Sequence, residues 1–209
     1  MKAILNSSAL YQAYQNAGGF FGARVKAISD YLTIRPGMRV IDIGCGPGYI
    51  LRHLPRGIDY VGFDIDEAYV GHARRSFGDR GKFHCRYFDA AAAAEFAGAD
   101  IVMMNGVLHH IADEELKDTL SNVSGVLKSD GVLFTLDGCY REGQSRLVKW
   151  LLRNDRGEFV RDRNGYDRVL RTVFGQVDLF IREDYSRVPY TFIVGTSRQA
   201  PAGDRSALS

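Results

Sequence analysis

The stretch "VIDIGCGPGYI", residues 40–50, decides the fold of this chain. It begins with a β-branched run that contains Asp42, a pattern typical of a strand buried on both faces. Three glycines follow directly, Gly44, Gly46 and Gly48. Glycine lets the backbone turn sharply and come close to a ligand. The stretch therefore predicts a strand that ends in a ligand-binding turn.

The spacing of these glycines indicates what kind of ligand is bound. The dinucleotide fingerprint is G-x-G-x-x-G, whereas this loop reads G-x-G-x-G with Pro47 before the third glycine. A pyrophosphate needs free backbone N–H groups at the start of the next helix, and Pro47 has none. The loop thus favours a ligand without phosphates and disfavours a nicotinamide oxidoreductase.

Predicted strands and helices alternate on either side of this loop. The strands are predicted at 39–43, 60–64, 82–88, 100–106 and 132–138. The helices are predicted at 47–54, 66–77 and 113–127. This alternation predicts a parallel sheet with right-handed crossovers. Two later strands, joined by a short turn around Pro189, predict an antiparallel pair at the C-terminal end.

Acidic residues stand near the carboxyl ends of these strands, where such sheets bind ligands. Asp64 could accept two hydrogen bonds from ribose hydroxyls, since Asp66 is better placed as a helix cap. Phe88 and Asp89 could hold an adenine ring and its amino group, although Asp89 could equally cap a helix. Asp42, inside a buried strand, needs donors from the glycine loop or from a ligand ammonium.

Five motifs in this order resemble the class I S-adenosylmethionine-dependent methyltransferases over residues 35–138. They are "VIDIGCGPG", "GFDID", "YFDA", "DIVMMNGVLHHI" and "LKSDGVLFTLDG". The resemblance implies an α/β, Rossmann-like three-layer sandwich around a seven-stranded, mostly parallel sheet with an antiparallel C-terminal strand. It also implies S-adenosyl-L-methionine as the cofactor. The spacing of the histidines and cysteines predicts no metal site.

The resemblance assigns a set of residues to this cofactor. They are Asp42, Gly44, Cys45, Gly46, Asp64, Ile65, Phe88, Asp89 and Asn105. The glycine loop, supported by Asp42, would contact the methionine part. Ile65 would pack on the adenine near Phe88, and the backbone carbonyl of Asn105 would accept from the ammonium.

Two adjacent histidines follow the fourth strand, where the transferred methyl group should lie. A hydroxyl or ammonium acceptor must lose a proton to a base, and histidine accepts protons near neutral pH. We therefore expect His109, or failing that His110, to be the catalytic base. The alternative is that one histidine packs under the sheet and the other caps the helix at 113–127. Asp137, at the end of the fifth strand, could line the same cleft.

The sequence after the fourth strand, "NGVLHH", lacks the Asn/Asp-Pro-Pro-aromatic run of amide and exocyclic amine methyltransferases. We therefore expect methyl transfer to a small-molecule acceptor, directed to oxygen. An RNA or protein methyltransferase, and a non-catalytic S-adenosylmethionine-binding protein, remain alternatives.

The domain organisation is predicted from the pieces that flank the alternating core. One methyltransferase domain is expected over 1–197, with a flexible tail at 198–209. Residues 1–34 would form a helical lid hinged at Gly18-Gly19. An Arg-rich insertion at 140–166 would stand over the cleft and form a small hairpin with a turn at Asn164-Gly165.

The composition of the chain disfavours some classes of binding partner. The 209 residues carry 27 basic and 25 acidic side chains, a net charge of +2, which disfavours nucleic acid and anionic membranes as partners. Three widely spaced cysteines suggest neither a disulfide framework nor a zinc site. With no secretion signal and no membrane-spanning run, a cytoplasmic protein is expected; its oligomeric state is left open.

Overall fold

The computed structural model describes residues 19–154 and 157–200, which form a sheet covered by helices on both faces. The strands are β1 (Arg39–Ile43), β2 (Asp59–Asp64), β3 (Gly81–Cys85), β4 (Ala99–Asn105), β5 (Leu127–Tyr140), β6 (Arg161–Asp162), β7 (Gln176–Arg182) and β8 (Phe192–Arg198). The helices are α1 (Phe20–Tyr31), α2 (Glu67–Phe77), α3 (Ala90–Glu95), α4 (Asp113–Val126), α5 (Arg146–Asn154) and α6 (Arg163–Arg171). Two short 3-10 turns lie at Tyr49–Arg52 and Leu108–His110.

The sheet has the strand order β3-β2-β1-β4-β5-β8-β7. Strand β8 runs antiparallel to β5 and to β7, and the other pairs along this path are parallel. The short β6 pairs with the end of β5, outside this order. The predicted fold class is therefore confirmed. The strand order reverses at β1, with β2 and β3 on one side and β4 and β5 on the other, so a crevice opens at the carboxyl ends of β1 and β4.

Side chains of the central strands alternate between two apolar layers, as the period of a strand requires. In β1, Val40 faces the layer built with α1, α2 and α5. Its neighbours Ile41 and Ile43 face the layer built with α3, α4 and α6. Helix α4 buries Leu116, Leu120, Val123 and Val126 completely. Burial on both faces explains why these strands are continuous apolar runs.

Several element bounds differ from the prediction. Strand β3 ends at Cys85 rather than at residue 88, because its partner β2 ends opposite it at Asp64. Of the helix predicted at 47–54, only Tyr49–Arg52 is helical, and it forms a 3-10 turn. Strand β5 begins before the predicted turn at 129–131, and its register with β4 shifts there.

The predicted hairpin turn at Asn164-Gly165 is wrong. Both residues lie in the first turn of α6, where the Asp162 side chain accepts a hydrogen bond from the Gly165 N–H at 2.7 Å. Asp162 accepts from a backbone N–H at the helix start that would otherwise lack a partner. The segment "RDRNG" therefore starts a helix. The predicted first helix and the Gly18 side of its hinge lie outside the described residues.

The C-terminal packing extends past residue 197. Arg198 ends β8, and the Gln199 side chain donates to the Ser124 carbonyl at 2.7 Å. None of the helices in the described part of the chain combines the length and apolar character that a membrane crossing needs. Within 19–154 and 157–200, no three His, Cys, Asp or Glu side chains converge as metal ligands.

Candidate active site

A cavity of about 690 Å³ opens at the carboxyl ends of β1, β2, β4 and β5. Nine of the eleven predicted site residues line it: Gly44, Cys45, Gly46, Asp64, Ile65, Phe88, Asn105, His109 and His110. The other two, Asp42 and Asp89, are not among its described lining residues. The parallel arrangement therefore brings together side chains that the sequence separates by up to some sixty positions.

The backbone N–H groups of the glycine loop already donate hydrogen bonds within the protein. The N–H groups of Gly44 and Cys45 both donate to the Phe63 carbonyl, at 2.8 and 3.0 Å. The Gly46 N–H donates to the Asp64 carboxylate at 2.8 Å, and the Gly48 N–H to the Cys45 carbonyl at 3.2 Å. The remaining residue, at position 47, is proline. A phosphate group would find no free donor here, in contrast to the phosphate-binding turns of nucleotide folds.

Gly44 allows this loop to pack directly against the loop that follows β4. Its φ of 75° lies in the left-handed region, and a Cβ at this position would come within 2.6 Å of Val107 Cγ2. Both the backbone angle and the close approach require glycine. The loop is thereby pressed against the segment that carries the two histidines.

Asp64 is held at the edge of the cavity by two backbone donors. Its carboxylate accepts from the Gly46 N–H and from the Asp66 N–H, the latter at 2.9 Å. Asp66 itself caps α2, accepting from the Tyr69 N–H at 3.0 Å. Asp64 is therefore free of the capping role and fixed in orientation, which suits a residue that receives hydrogen bonds from a ligand.

An apolar slot flanks Asp64. Ile65 and Tyr87 line the cavity although they are 61% and 74% exposed, and Phe88 lies below them, packed edge-on against Phe63 at 5.2 Å. Large apolar side chains left this exposed at a cavity rim are typical of a ligand slot. Tyr87 was not predicted as a site residue, although it begins the motif "YFDA" and lies inside the strand predicted at 82–88.

Asp89 has the role that the sequence offered as its alternative. One oxygen of its carboxylate accepts from the Ala92 N–H at 2.8 Å and caps α3.

Asp42 is buried below the loop, only 3% exposed. One carboxylate oxygen accepts from the Tyr60 hydroxyl at 2.7 Å, and the other makes no hydrogen bond to a described residue. Burial raises its pKa to about 6, although the Tyr60 hydrogen bond and the charge of Arg24 act in the opposite direction. A cationic ligand group near this carboxylate would remove much of that cost.

Asn105 presents further unpaired polar atoms at the cavity wall. Its side chain is buried, and neither its amide nitrogen nor its amide oxygen bonds to a described residue. Its backbone carbonyl accepts from the Arg24 guanidinium at 3.4 Å. Buried polar groups normally have partners, so these atoms indicate a polar ligand group at this end of the cavity.

His109 is paired with Asp137. Its Nδ1 lies 2.7 Å from Asp137 Oδ1, which also accepts from the His109 backbone N–H at 3.2 Å. Both side chains are buried. In the tautomer in which Nδ1 donates to this carboxylate, Nε2 is the ring nitrogen that can accept a proton. The register of β4 with β5 sets this pair, because Asn105 lies opposite Leu136.

His110 stands beside this pair and is exposed, with its ring centre 4.3 Å from that of His109. The alternative in which a histidine caps α4 is not what the structure shows. Ala112 is the cap residue there, and no side chain bonds to the helix end.

Three aromatic rings form another part of the cavity lining, which we call the aromatic wall. Phe20 of α1 packs edge-on against Tyr190 at 4.9 Å and against Phe192 at 5.9 Å, and Tyr190 lies 4.8 Å from Phe192. All three rings line the cavity. Sequence reasoning missed this wall, because its members come from the two ends of the described chain and meet only when β8 inserts beside β5.

Comparison with known proteins agrees with this geometry. Residues 41–133 match the profile of a family described as a methyltransferase domain. An uncharacterized methyltransferase of Mycobacterium bovis is 32% identical over 119 residues, which is 54% of this chain and 58% of the relative. A ubiquinone biosynthesis O-methyltransferase of Sinorhizobium medicae is 31% identical over 101 residues, 47% of this chain and 40% of the relative. The chain thus spans less than two thirds of the length of these curated relatives.

Among solved structures, a TehB-like methyltransferase from Corynebacterium glutamicum, described as S-adenosylmethionine-dependent, aligns with a TM-score of 0.62. The alignment covers 93% of this chain and 98% of that one, at 18% identity. This likeness shows that the two chains share a fold.

Proposed function

We propose that this chain, which carries a class I S-adenosylmethionine-dependent methyltransferase domain, transfers a methyl group from S-adenosylmethionine to an oxygen atom of a small-molecule acceptor. The observation that carries the proposal is the cavity edge where a glycine loop without free N–H donors meets the fixed carboxylate of Asp64. Such an edge suits a nucleoside that has ribose hydroxyls and no phosphate.

The residues present fit this cofactor. The Asp64 carboxylate would accept from the ribose hydroxyls, and the adenine would occupy the slot between Ile65 and Phe88, beside the exposed Tyr87. At the other end, the amide oxygen of Asn105 would accept from the ammonium, near the buried carboxylate of Asp42. Gly44, Cys45 and Gly46 would contact the methionine part through backbone atoms, since a larger side chain at Gly44 has no room.

The second part of the proposal concerns the base. S-adenosylmethionine supplies an electrophilic methyl group on a sulfonium centre. His109 would take the proton of the acceptor hydroxyl at Nε2, and the carboxylate of Asp137 would hold the ring in the required tautomer and stabilise the imidazolium that forms. His110, exposed beside it, would contact the acceptor.

The aromatic wall supports an acceptor with an apolar, planar part. Aromatic rings in a cavity wall suit a ring-containing or unsaturated molecule. The named activity of the Sinorhizobium relative, O-methylation in ubiquinone biosynthesis, is of the same kind. This supports an oxygen acceptor on a small molecule over RNA or protein.

The cofactor part is tested by thermal unfolding. Because a ligand that binds only the folded state raises the unfolding midpoint, S-adenosylhomocysteine should raise it and NADH should not. Asp64→Ala should abolish the shift, whereas Asp79→Ala, which removes an exposed carboxylate outside the cavity, should retain it. Absence of any shift with S-adenosylhomocysteine would overturn the assignment.

The transfer itself is tested by a screen of small hydroxyl compounds, read by conversion of S-adenosylmethionine to S-adenosylhomocysteine. A protein that binds the cofactor and converts none of the acceptors, including phenols and amines, would instead be a non-catalytic cofactor-binding protein.

A further inference from the structure

We propose that residues 157–161, the last part of the insertion before α6, form a brace that positions His109 for proton transfer, with Gly157 and Arg161 as its positioning residues. The inference rests on the proposed function of His109 as the base. In this role the insertion would support the turn at 108–111, which carries the two histidines, instead of covering the cleft. Residues 157–161 are not among the described residues that line the cavity.

Gly157 lies directly against the imidazole of His109. A Cβ added to Gly157 would overlap the ring atom Cδ2 and come within 2.7 Å of Cγ and 2.9 Å of the His109 carbonyl oxygen. The backbone at Gly157 is not in the left-handed region. Glycine is therefore required here by the closeness of His109 and not by the backbone angle. The imidazole is thus held between the Asp137 carboxylate at Nδ1 and the backbone of residue 157.

The backbone of the histidine loop is held by the same segment. The Phe159 N–H donates to the His109 carbonyl at 2.9 Å. The guanidinium of Arg161 reaches the carbonyls on both sides of the two histidines, Leu108 at 2.9 Å and Ile111 at 2.8 Å. These bonds tie a turn at 108–111 to a segment some fifty residues later in the chain.

The guanidinium of Arg161 is itself fixed. It bonds to the Asp113 carboxylate through Nε at 2.8 Å and through Nη2 at 2.5 Å, and its side chain is only 9% exposed. Because the planar fork places several donors at set angles, a lysine could keep the charge but not reach both carbonyls together with the carboxylate. A residue that only paired surface charges would not need this geometry.

The consequence for the base is specific. A 3-10 turn of three residues has poor internal hydrogen bonding and would otherwise allow the ring to rotate away from Asp137. Misplacement of a base by about 1 Å can lower a rate roughly a hundredfold. The brace should therefore affect the proton-transfer step and leave cofactor binding unchanged, since its bonds go to the turn at 108–111 and not to Asp64 or the slot beside it.

Two substitutions with matched controls test the brace. Gly157→Ala is compared with Gly125→Ala, an exposed position in α4 where a Cβ meets nothing within 4 Å. Arg161→Lys is compared with Arg163→Lys, an exposed arginine at the start of α6. For each protein we would measure the ¹⁵N spectrum of the imidazoles against pH, the melting shift with S-adenosylhomocysteine, and kcat with its pH profile.

The expected result is a change in the His109 Nδ1–H signal and its titration in Gly157→Ala and Arg161→Lys, with kcat lowered at least tenfold. The S-adenosylhomocysteine shift should persist in both, and the controls should match the original protein. Unchanged His109 signals and unchanged kcat in both folded variants would overturn the brace. Should Gly157→Ala fail to fold, Arg161→Lys decides alone. The imidazole signals need no turnover, so failure of the proposed function leaves this readout intact.

Discussion

At the scale of single residues, His109 in the cavity wall and Asp42 beneath the glycine loop are both buried, but their surroundings differ. The His109 ring has a carboxylate partner, Asp137, at Nδ1. Asp42 has a hydrogen bond on one oxygen only, and burial makes its charged form costly. The surroundings of His109 suit a group that gains a proton during turnover. Those of Asp42 suit a carboxylate that is stabilised when a cationic ligand binds.

Asp42 should make the protein without ligand less stable as pH rises from about 4 to about 6. Its pKa is raised from 3.8 to about 6 on folding, so the folded state binds the proton more tightly and loses that advantage as the group ionises. Relative to Asp42→Asn, the free energy of unfolding should fall by about 3 kcal/mol across this window. Urea unfolding of both proteins at several pH values measures the difference, and a difference that does not change with pH would contradict it.

His109→Gln should lower kcat by roughly 10²- to 10⁴-fold, the usual contribution of a general base. Its KM for S-adenosylmethionine should change little, since the cofactor contacts lie elsewhere. His110→Gln, at the exposed neighbour, should lower kcat less than about tenfold. Steady-state kinetics with an acceptor found in the screen give both values; a larger loss in the His110 variant would exchange the two roles.

At the scale of elements, the sequence predicted the parts that carry a strong local signal. The glycine turn, the Asp66 cap and the apolar face of α4 lie where their patterns placed them. The end of β3 and the start of α6 do not, because strand ends depend on the length of the partner strand and helix starts on which acid finds free N–H groups. Asp89 could serve as cap or ligand by its sequence, and only the position of Ala92 shows that it caps α3.

The glycine loop gives a prediction that separates two causes of strain. Gly44→Ala should destabilise the protein through its left-handed backbone, which costs roughly 1–2 kcal/mol, and through its contact with Val107. Gly98→Ala has a φ of 86° and open space around the new Cβ, so it should show the backbone cost alone.

Gly44→Ala should lower the free energy of unfolding more than Gly98→Ala does, and this additional loss should be smaller when Val107→Ala is also present. A double-mutant cycle of unfolding free energies measures this coupling. Equal losses for Gly44→Ala and Gly98→Ala, with no coupling to Val107, would show that the close approach of the two loops is unimportant.

At the scale of the whole molecule, the two halves of the site differ in how far they could be predicted. The half of the site that we propose for the cofactor is built from consecutive strand ends, so motif order and parallel pairing were enough to bring nearly all of its residues to one cavity. The half that we propose for the acceptor draws on α1, on the loop before β8 and on β8 itself. Their meeting depends on the insertion of an antiparallel strand beside β5, which no local pattern in the sequence specifies in register.

Net charge gives a prediction at this scale. With 27 basic and 25 acidic residues, the chain should not bind RNA more tightly than about 100 µM at about 0.15 M salt. Fluorescence anisotropy with a labelled single-stranded RNA measures this. Micromolar binding that weakens steeply with salt would favour the RNA methyltransferase alternative.

The position of β8 has a consequence for the nascent chain. Of the described strands it is the last to be synthesised, yet it lies inside the sheet, between β5 and β7. Until residues 192–198 leave the ribosome, β5 presents an unpaired edge that other chains could join. The aromatic wall arrives with the same strand. A ribosome-bound intermediate should therefore contain the cofactor half of the site before it has an acceptor half, and should depend on chaperones during that interval.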